Sequence, residues 1–583
     1  MRLAGFILIV LFAAALPNRA WAQDTPAERL HALFAEEWQA RQTRNPIWAT
    51  LNGEHRYNDR LPDVSPQAQA SYAEQDRHFL DRLAAIDRAG LSPGDRVSAE
   101  LFGFDLTRRL DQARFETWRM PFSSDSGFHT ELARLVEATP FATAEDRAAY
   151  LTRLRALPGY IDQQIANMRQ GLADGFTQPR EILDKVAPTF AALAVDKAEN
   201  SVFAQPILSA AWPDNREVGL SVVREAVLPA LAKLSRFFQE KYIPGARTSL
   251  GATSLPQGEA YYAAQIRAYT TLERTPQEIH KIGLQEVARI RSQMRAIIDE
   301  VGFQGSFKDF LTFLRSDPQF YADSPEALLK EAAHISKRID EKLPAYFGTL
   351  PRMPYGVRAV PDDIAPNYTT GRYWPAIPGK RGGLFMVNTY ALDKRPLYAL
   401  PALALHEGVP GHHLQISLAQ EQPGLPAFRR ELYLSAFGEG WGLYAEALGE
   451  EMGIYRTPYE RFGRLTYEMW RAGRLVVDTG LHAMGWNRAR AVDFFIENSA
   501  LSEHNINTEV DRYISWPGQA LSYKLGELKI LELRRRAEDV LGERFDLRAF
   551  HDAVLRNGAV TLPLLDAQIA AFIQNGGARD AAD

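Results

Sequence analysis

Three histidines and a glutamate stand close together in the run His406-Glu407-Gly408-Val409-Pro410-Gly411-His412-His413. These residue types suit a zinc hydrolase: imidazoles hold the metal and a carboxylate serves as general base toward the attacking water. The ordinary arrangement, H-E-x-x-H, sets the two histidines four apart on one helical face. Here the second histidine comes late, six residues on at His412 or seven at His413. On a regular helix six residues turn roughly 240°, away from His406; seven restore the face but lie about 10.5 Å further along. Neither spacing works on an unbroken helix. The Gly408-Val409-Pro410-Gly411 insert must therefore bulge or break the helix, for which a proline and two glycines are suited.

A catalytic zinc site takes three protein ligands and keeps a fourth position for water. With no cysteine in the chain, only histidine and carboxylate can supply them. Glu439 is the best third ligand. It lies 26 residues past His413, room for one loop and a returning helix. Gly438 and Gly440 flank it, and each costs roughly 1 kcal/mol relative to alanine inside a helix. They make sense if another backbone or a metal must come close. Glu446, two turns later on nearly the same face, is either a carboxylate that orients a ligand histidine or a surface acid beside Glu450 and Glu451. Of the two late histidines His412 is preferred, because Gly411-His412 matches the Gly-His that ends many H-E-x-G-H sites; His413 is the alternate.

The elements that must position these residues read as mainly α. Helices are expected over Ser65–Ala89, Pro93–Gln112, Ala144–Gly171 and Val218–Tyr242, and capping boxes at Thr25 and Thr275 open two more. Ser324-Pro325-Glu326 starts another. Between Pro351 and Asn388 proline and glycine become dense, and two short strands fit, Gly356–Val360 and Gly383–Asn388. The second either pairs with a substrate backbone or belongs to a small structural hairpin. Asn367 to Pro375 reads as a polar, aromatic loop in which Arg372 and Tyr373 could reach a substrate carboxylate or carbonyl. After the motif single helices are expected over Ala427–Met452, Thr457–Met484, Ala489–Ser499 and Ala520–Leu541. Asp478 and His482 fall four apart on one helical face, as a pair behind a metal ligand or as a structural contact.

Met1–Ala22 has a positive start, an apolar run and a small-residue cleavage site, the marks of a secretory leader. The expectation is an exported protein with no membrane anchor after cleavage, divided into a helical lobe over residues 23–350 and a catalytic region over 351–583. A net charge of −5 without a polybasic tract points away from nucleic acid and anionic membranes.

The motif and three further runs, Gly438-Glu439-Gly440-Trp441, Val477-Asp478-Thr479-Gly480-Leu481-His482 and Tyr513-Ile514-Ser515-Trp516-Pro517-Gly518-Gln519, make the chain resemble the bacterial domain-of-unknown-function 885 family over nearly its whole mature length. That family looks like a distant relative of the helical gluzincin-type zinc peptidases, from which it departs in the lengthened His-Glu-to-His spacing. The resemblance implies a mostly helical, two-lobed body with zinc deep in a channel; the two short strands add a small β-hairpin or sheet near the site. It implies one zinc per chain and an oxyanion donor after the third ligand: Tyr513 first, with His504 and Tyr523 behind it. The function expected is hydrolysis of short peptides, with Glu407 as general base. The alternatives are hydrolysis of a non-peptide amide or ester by the same site, or a non-catalytic, peptide-binding relative.

Overall fold

The computed structural model describes residues 24–578 except 211, 213, 363, 378–380 and 423; the leader expected over Met1–Ala22 lies outside the described residues. Helices begin where side chains can satisfy the free N–H groups of a first turn. Thr25 and Thr275 accept from the third residue of their helices while Glu28 and Glu278 return the bond, opening Pro26–Arg44 and Pro276–Glu300. The helices expected over Ser65–Ala89, Pro93–Gln112 and Ala144–Gly171 run over Pro66–Ala84, Pro93–Arg114 and Ala144–Asp174. The one expected over Val218–Tyr242 is not uniform, since it widens into π turns at Val223–Val227 and Phe238–Tyr242.

The helices that build and back the site are α1 (Gly258–Thr270), α2 (Pro276–Glu300), α3 (Leu400–Glu407), α4 (His412–Glu421), α5 (Ala427–Glu431), α6 (Ser435–Glu451), α7 (Pro458–Ala483), α8 (Glu503–Ser515) and α9 (Ser522–Leu541). α2 lies along α7, and α6 lies along α9 and against α3. α7 is buried nearly throughout, from Phe462 to His482, so it carries the centre of this half of the molecule. The main apolar core runs without a break from Leu30 to Phe572.

Two expectations about elements need correction. The stretch Ala427–Met452 is not one helix, because Leu432–Leu434 is extended and separates α5 from α6. Extended backbone sends alternate side chains to opposite sides: Leu434 is 3% exposed in the core, whereas Tyr433 is 48% exposed. The loop expected over Asn367–Pro375 contains a strand. The sheet has three strands, β1 (Tyr355–Ala359), β2 (Gly371–Trp374) and β3 (Gly383–Val387), in the order β1-β3-β2. β3 pairs parallel with β1 and antiparallel with β2, Arg372 facing Met386 and Tyr373 facing Phe385. As the middle strand β3 has both edges occupied, so it cannot pair with a substrate; β2 is the strand that meets the motif.

Candidate metal centre

The insert resolves its own spacing problem by opening one wide turn. Gly408 N–H still closes a helical bond to the Ala404 carbonyl at 2.9 Å, but Gly411 N–H reaches six residues back to Leu405 at 3.0 Å and His413 N–H reaches Gly408 at 3.0 Å. α3 ends at Glu407 and α4 starts at His412, with a cis peptide between Val409 and Pro410. This turn brings the His412 ring back over His406, the centroids 4.7 Å apart and the planes at 86°.

Glu439 completes the group from α6. Its Oε2 lies 3.4 Å from His406 Nε2 and 3.5 Å from His412 Nε2, and the three donor atoms all fall within 4.8 Å of one another. A charge-assisted N–H···O bond would close to about 2.8 Å. The observed separations instead match the ~3.3 Å edge of a tetrahedron whose metal–ligand bonds are ~2.0–2.1 Å. The donor set therefore fits a metal ion. Glu446 Oε1 accepts from His406 Nδ1–H at 2.8 Å, which fixes the tautomer and leaves Nε2 free as a ligand.

The electrostatics agree with this placement. Burial opposes ionisation of Glu439, yet the His406 and His412 imidazoles beside it hold its carboxyl well below the ordinary range. Burial pulls the His406 imidazole down, but Glu439 and Glu446 outweigh it and lift it to about 9. The group thus forms an anion-rich pocket that holds positive charge, whether a proton or a metal.

α6 shows why its sequence is Gly438-Glu439-Gly440-Trp441-Gly442. A Cβ on Gly438 would stand 2.8 Å from the Tyr433 ring, and one on Gly442 would stand 2.6–2.9 Å from three atoms of the His406 imidazole. At Gly440 a Cβ would meet the Gly526 backbone of α9 at 2.5 Å. Trp441, fully buried, donates from Nε1 to the Pro410 carbonyl at 2.7 Å and ties the insert to α6.

Glu407, at the end of α3, is 8% exposed, and its Oε2 accepts from the backbone N–H of Tyr373 on β2 at 2.7 Å. His413 turns to the other side. Its Nδ1 faces Tyr373 Oη at 3.0 Å and its Nε2 faces the Met353 carbonyl at 2.9 Å; burial pushes it down to about 4. Arg372 is exposed, with its guanidinium 5.6 Å from the Tyr368 ring.

Other candidate residues are engaged with other partners or stand exposed. Tyr513 is 1% exposed, and its hydroxyl is committed to Trp470 Nε1, Arg474 Nε and Glu509 at 2.8–2.9 Å. None of these bonds goes to the histidine group. His504 is exposed near the start of α8. Tyr523 is half-buried beneath the Arg474 guanidinium, 4.2 Å from its ring centroid. Asp478 and His482 do not bond each other. Asp478 accepts from Tyr262 Oη at 2.6 Å and from Gly518 N–H at 3.2 Å. His482 accepts from Ala252 N–H and donates to the Tyr513 carbonyl, at 3.1 and 2.9 Å. Both residues fasten α7 to its neighbours.

One residue at the site was not anticipated. Tyr433, in the break before α6, donates from Oη to Glu439 Oε1 at 2.8 Å. A lone tyrosine in a Leu-Tyr-Leu run carries no signal of such a role. The glycine five residues on was the available hint, since it makes room for the ring.

Fold and site together define a helical protein with a buried His-His-Glu group that could hold one metal ion. The chain belongs to the family described as Bacterial protein of unknown function (DUF885), matched over residues 46–569. It is similar to a solved structure of a candidate lipoprotein from Colwellia psychrerythraea at 28% identity and a TM-score of 0.87, covering 94% of this chain and 100% of that one. A candidate lipoprotein of unknown function from Shewanella oneidensis shares the fold at 17% identity and a TM-score of 0.68, covering 94% of this chain and 100% of that one. No curated protein matches the chain.

Proposed function

We propose that the chain is an exported zinc-dependent hydrolase and that its reaction is the cleavage of short peptides. The observation that carries this reading is the convergence of His406, His412 and Glu439, whose two histidine–glutamate separations match a tetrahedron edge, beside the carboxylate of Glu407. A zinc ion held by these three residues would supply Lewis acidity to a water and to the scissile carbonyl.

The chain's own groups do the rest. Glu446 keeps the His406 ring in one tautomer. Tyr433 occupies Glu439 Oε1 and so leaves Oε2 to the histidine side. The N–H of Tyr373 holds Glu407 Oε2, leaving Oε1 to take a proton from the attacking water and pass it to the departing amine. A site that only bound peptides would not need a carboxylate fixed in this way.

Export is supported by the leader-like N-terminal sequence and by the lipoprotein descriptions of the two similar structures. This chain contains no cysteine, so thioether attachment of a lipid is not available to it. Among the described residues no helix is long and apolar enough to cross a membrane.

The test is activity of the zinc-loaded protein on quenched peptides and on acyl-amides, with and without chelator. Chelator-sensitive peptide cleavage is expected, and Glu407→Gln should retain the metal while lowering kcat by at least roughly a hundredfold. Cleavage that survives chelation, or an unimpaired Glu407→Gln, contradicts the reading; cleavage of amides or esters alone replaces peptide with another substrate bond.

A further inference from the structure

Arg372 stands one residue from the backbone group that holds Glu407, on the strand that meets the motif. Strand alternation sends its side chain away from the Tyr373 ring, which is buried against His413. Other guanidiniums around the site have carboxylates beside them. Arg471 lies 3.6 Å from Glu446, while Arg474 and Arg512 lie 3.0 and 2.9 Å from Glu509. Among the described residues Arg372 has no carboxylate within 4.0 Å.

The charges and hydroxyls that act on Arg372 come from Tyr368, Glu407, Tyr523 and Asp125, four separated segments of the chain. The Tyr368 ring lies 5.6 Å from its guanidinium, and the next residue on the strand binds Glu407. Tyr433, 48% exposed, is acted on by two of the same groups, Glu407 and Tyr523, and its hydroxyl bonds Glu439. The surroundings of Arg372 are also held in place. Trp374 Nε1 donates to Tyr368 Oη at 2.9 Å and holds the ring under the guanidinium. Asp125 is already engaged by the hydroxyls of Ser123 and Ser126, at 2.9 and 3.2 Å.

Charge balance completes the case. Among the described residues no carboxylate pairs directly with the Arg372 guanidinium, so its fork is open to an incoming anion. A planar guanidinium with a free fork binds a carboxylate through two parallel hydrogen bonds.

Resting on the hydrolase reading, we infer that Arg372 is the specificity-determining residue of the site and binds a carboxylate carried by the substrate close to the scissile bond. The substrate class is then short peptides with an acidic group near the cut. A free C-terminus and an Asp or Glu side chain offer the same chemistry.

The experiment measures binding to zinc-loaded Glu407→Gln protein by calorimetry, so that no turnover is needed. Three forms of one short peptide serve as probes: a free C-terminal acid, its C-terminal amide, and the amide with an internal aspartate. At least one carboxylate-bearing form should bind roughly tenfold or more tightly than the plain amide, and whichever does so identifies the source. Arg372→Gln, checked for an unchanged thermal midpoint and metal content, should reduce that form to the affinity of the amide; Arg372→Lys should recover part of the difference. Equal binding of all three forms, a preference that survives Arg372→Gln, or no binding of any form overturns the inference. Absence of zinc from the same sample instead overturns the hydrolase reading.

Discussion

His412 and His413 differ by one position and by their whole surroundings. His412 turns its Nε2 toward Glu439, while His413 spends both ring nitrogens between Tyr373 and the Met353 carbonyl. From the sequence the choice rested on a local Gly-His pattern, because helix geometry excludes both spacings and cannot say how wide the broken turn will be. The i-to-i−6 bond from Gly411 to Leu405 decides it, and such a bond is invisible in the residue string. Tyr433 and Tyr513 teach the same lesson in reverse. A tyrosine's role depends on what its hydroxyl meets: Tyr513 meets Arg474, Trp470 and Glu509, and Tyr433 meets a carboxylate of the metal group. Tyr433→Phe removes only that hydroxyl. Zinc affinity, measured by chelator competition, or kcat should fall about tenfold or more with little change in thermal stability. Unchanged values of both would show that Glu439 orients itself unaided.

At the scale of elements, α6 concentrates the design. In five consecutive residues it admits the Tyr433 ring, offers Glu439, meets α9 backbone to backbone, pins the insert through Trp441 and leaves room for His406. The glycines around Glu439 were legible as a sign of close approach, though not of what approaches. The break at Leu432–Leu434 was not legible, because apolar residues there suit a helix as well as an extended segment. β2 was hidden for a related reason: its four residues are too few to show a period, and it forms because β3 offers an edge. α7 carries a prediction of its own. Asp478 is buried, which raises its carboxyl to about 7 against the opposing effects of the Tyr262 hydroxyl, the Gly518 N–H and Arg512. Because the folded value lies above the unfolded value near 3.8, its contribution to stability is fullest below about pH 4. It is lost as pH rises toward 7, by about 1.4 kcal/mol per pH unit. Denaturant titrations from pH 4 to 8 should therefore show wild type losing stability more steeply than Asp478→Asn. Parallel profiles would contradict the assignment.

At the scale of the whole molecule, the mainly helical body was legible from caps and apolar spacing, since those signals are local. The assembly of the site was legible only in part, because Tyr373, Glu407, Tyr433, Glu439 and Glu446 meet through the packing of β2, α3, α6 and the segment before α6 rather than through any shared local pattern. The region around the site is backed by α2, α7 and α9, and the apolar core continues from Leu30 to Phe572. Rigid backing of this kind holds the three donors in place. The central claim is that His406, His412 and Glu439 hold a metal and that His413 does not. The direct measurement is metal content per chain, by elemental analysis after zinc loading and gel filtration, in wild type, His412→Ala and His413→Ala. The account predicts about one zinc in wild type, near none in His412→Ala, and wild-type content in folded His413→Ala. A wild-type chain that holds no metal, or a His412→Ala chain that keeps it while folded His413→Ala loses it, would contradict the account.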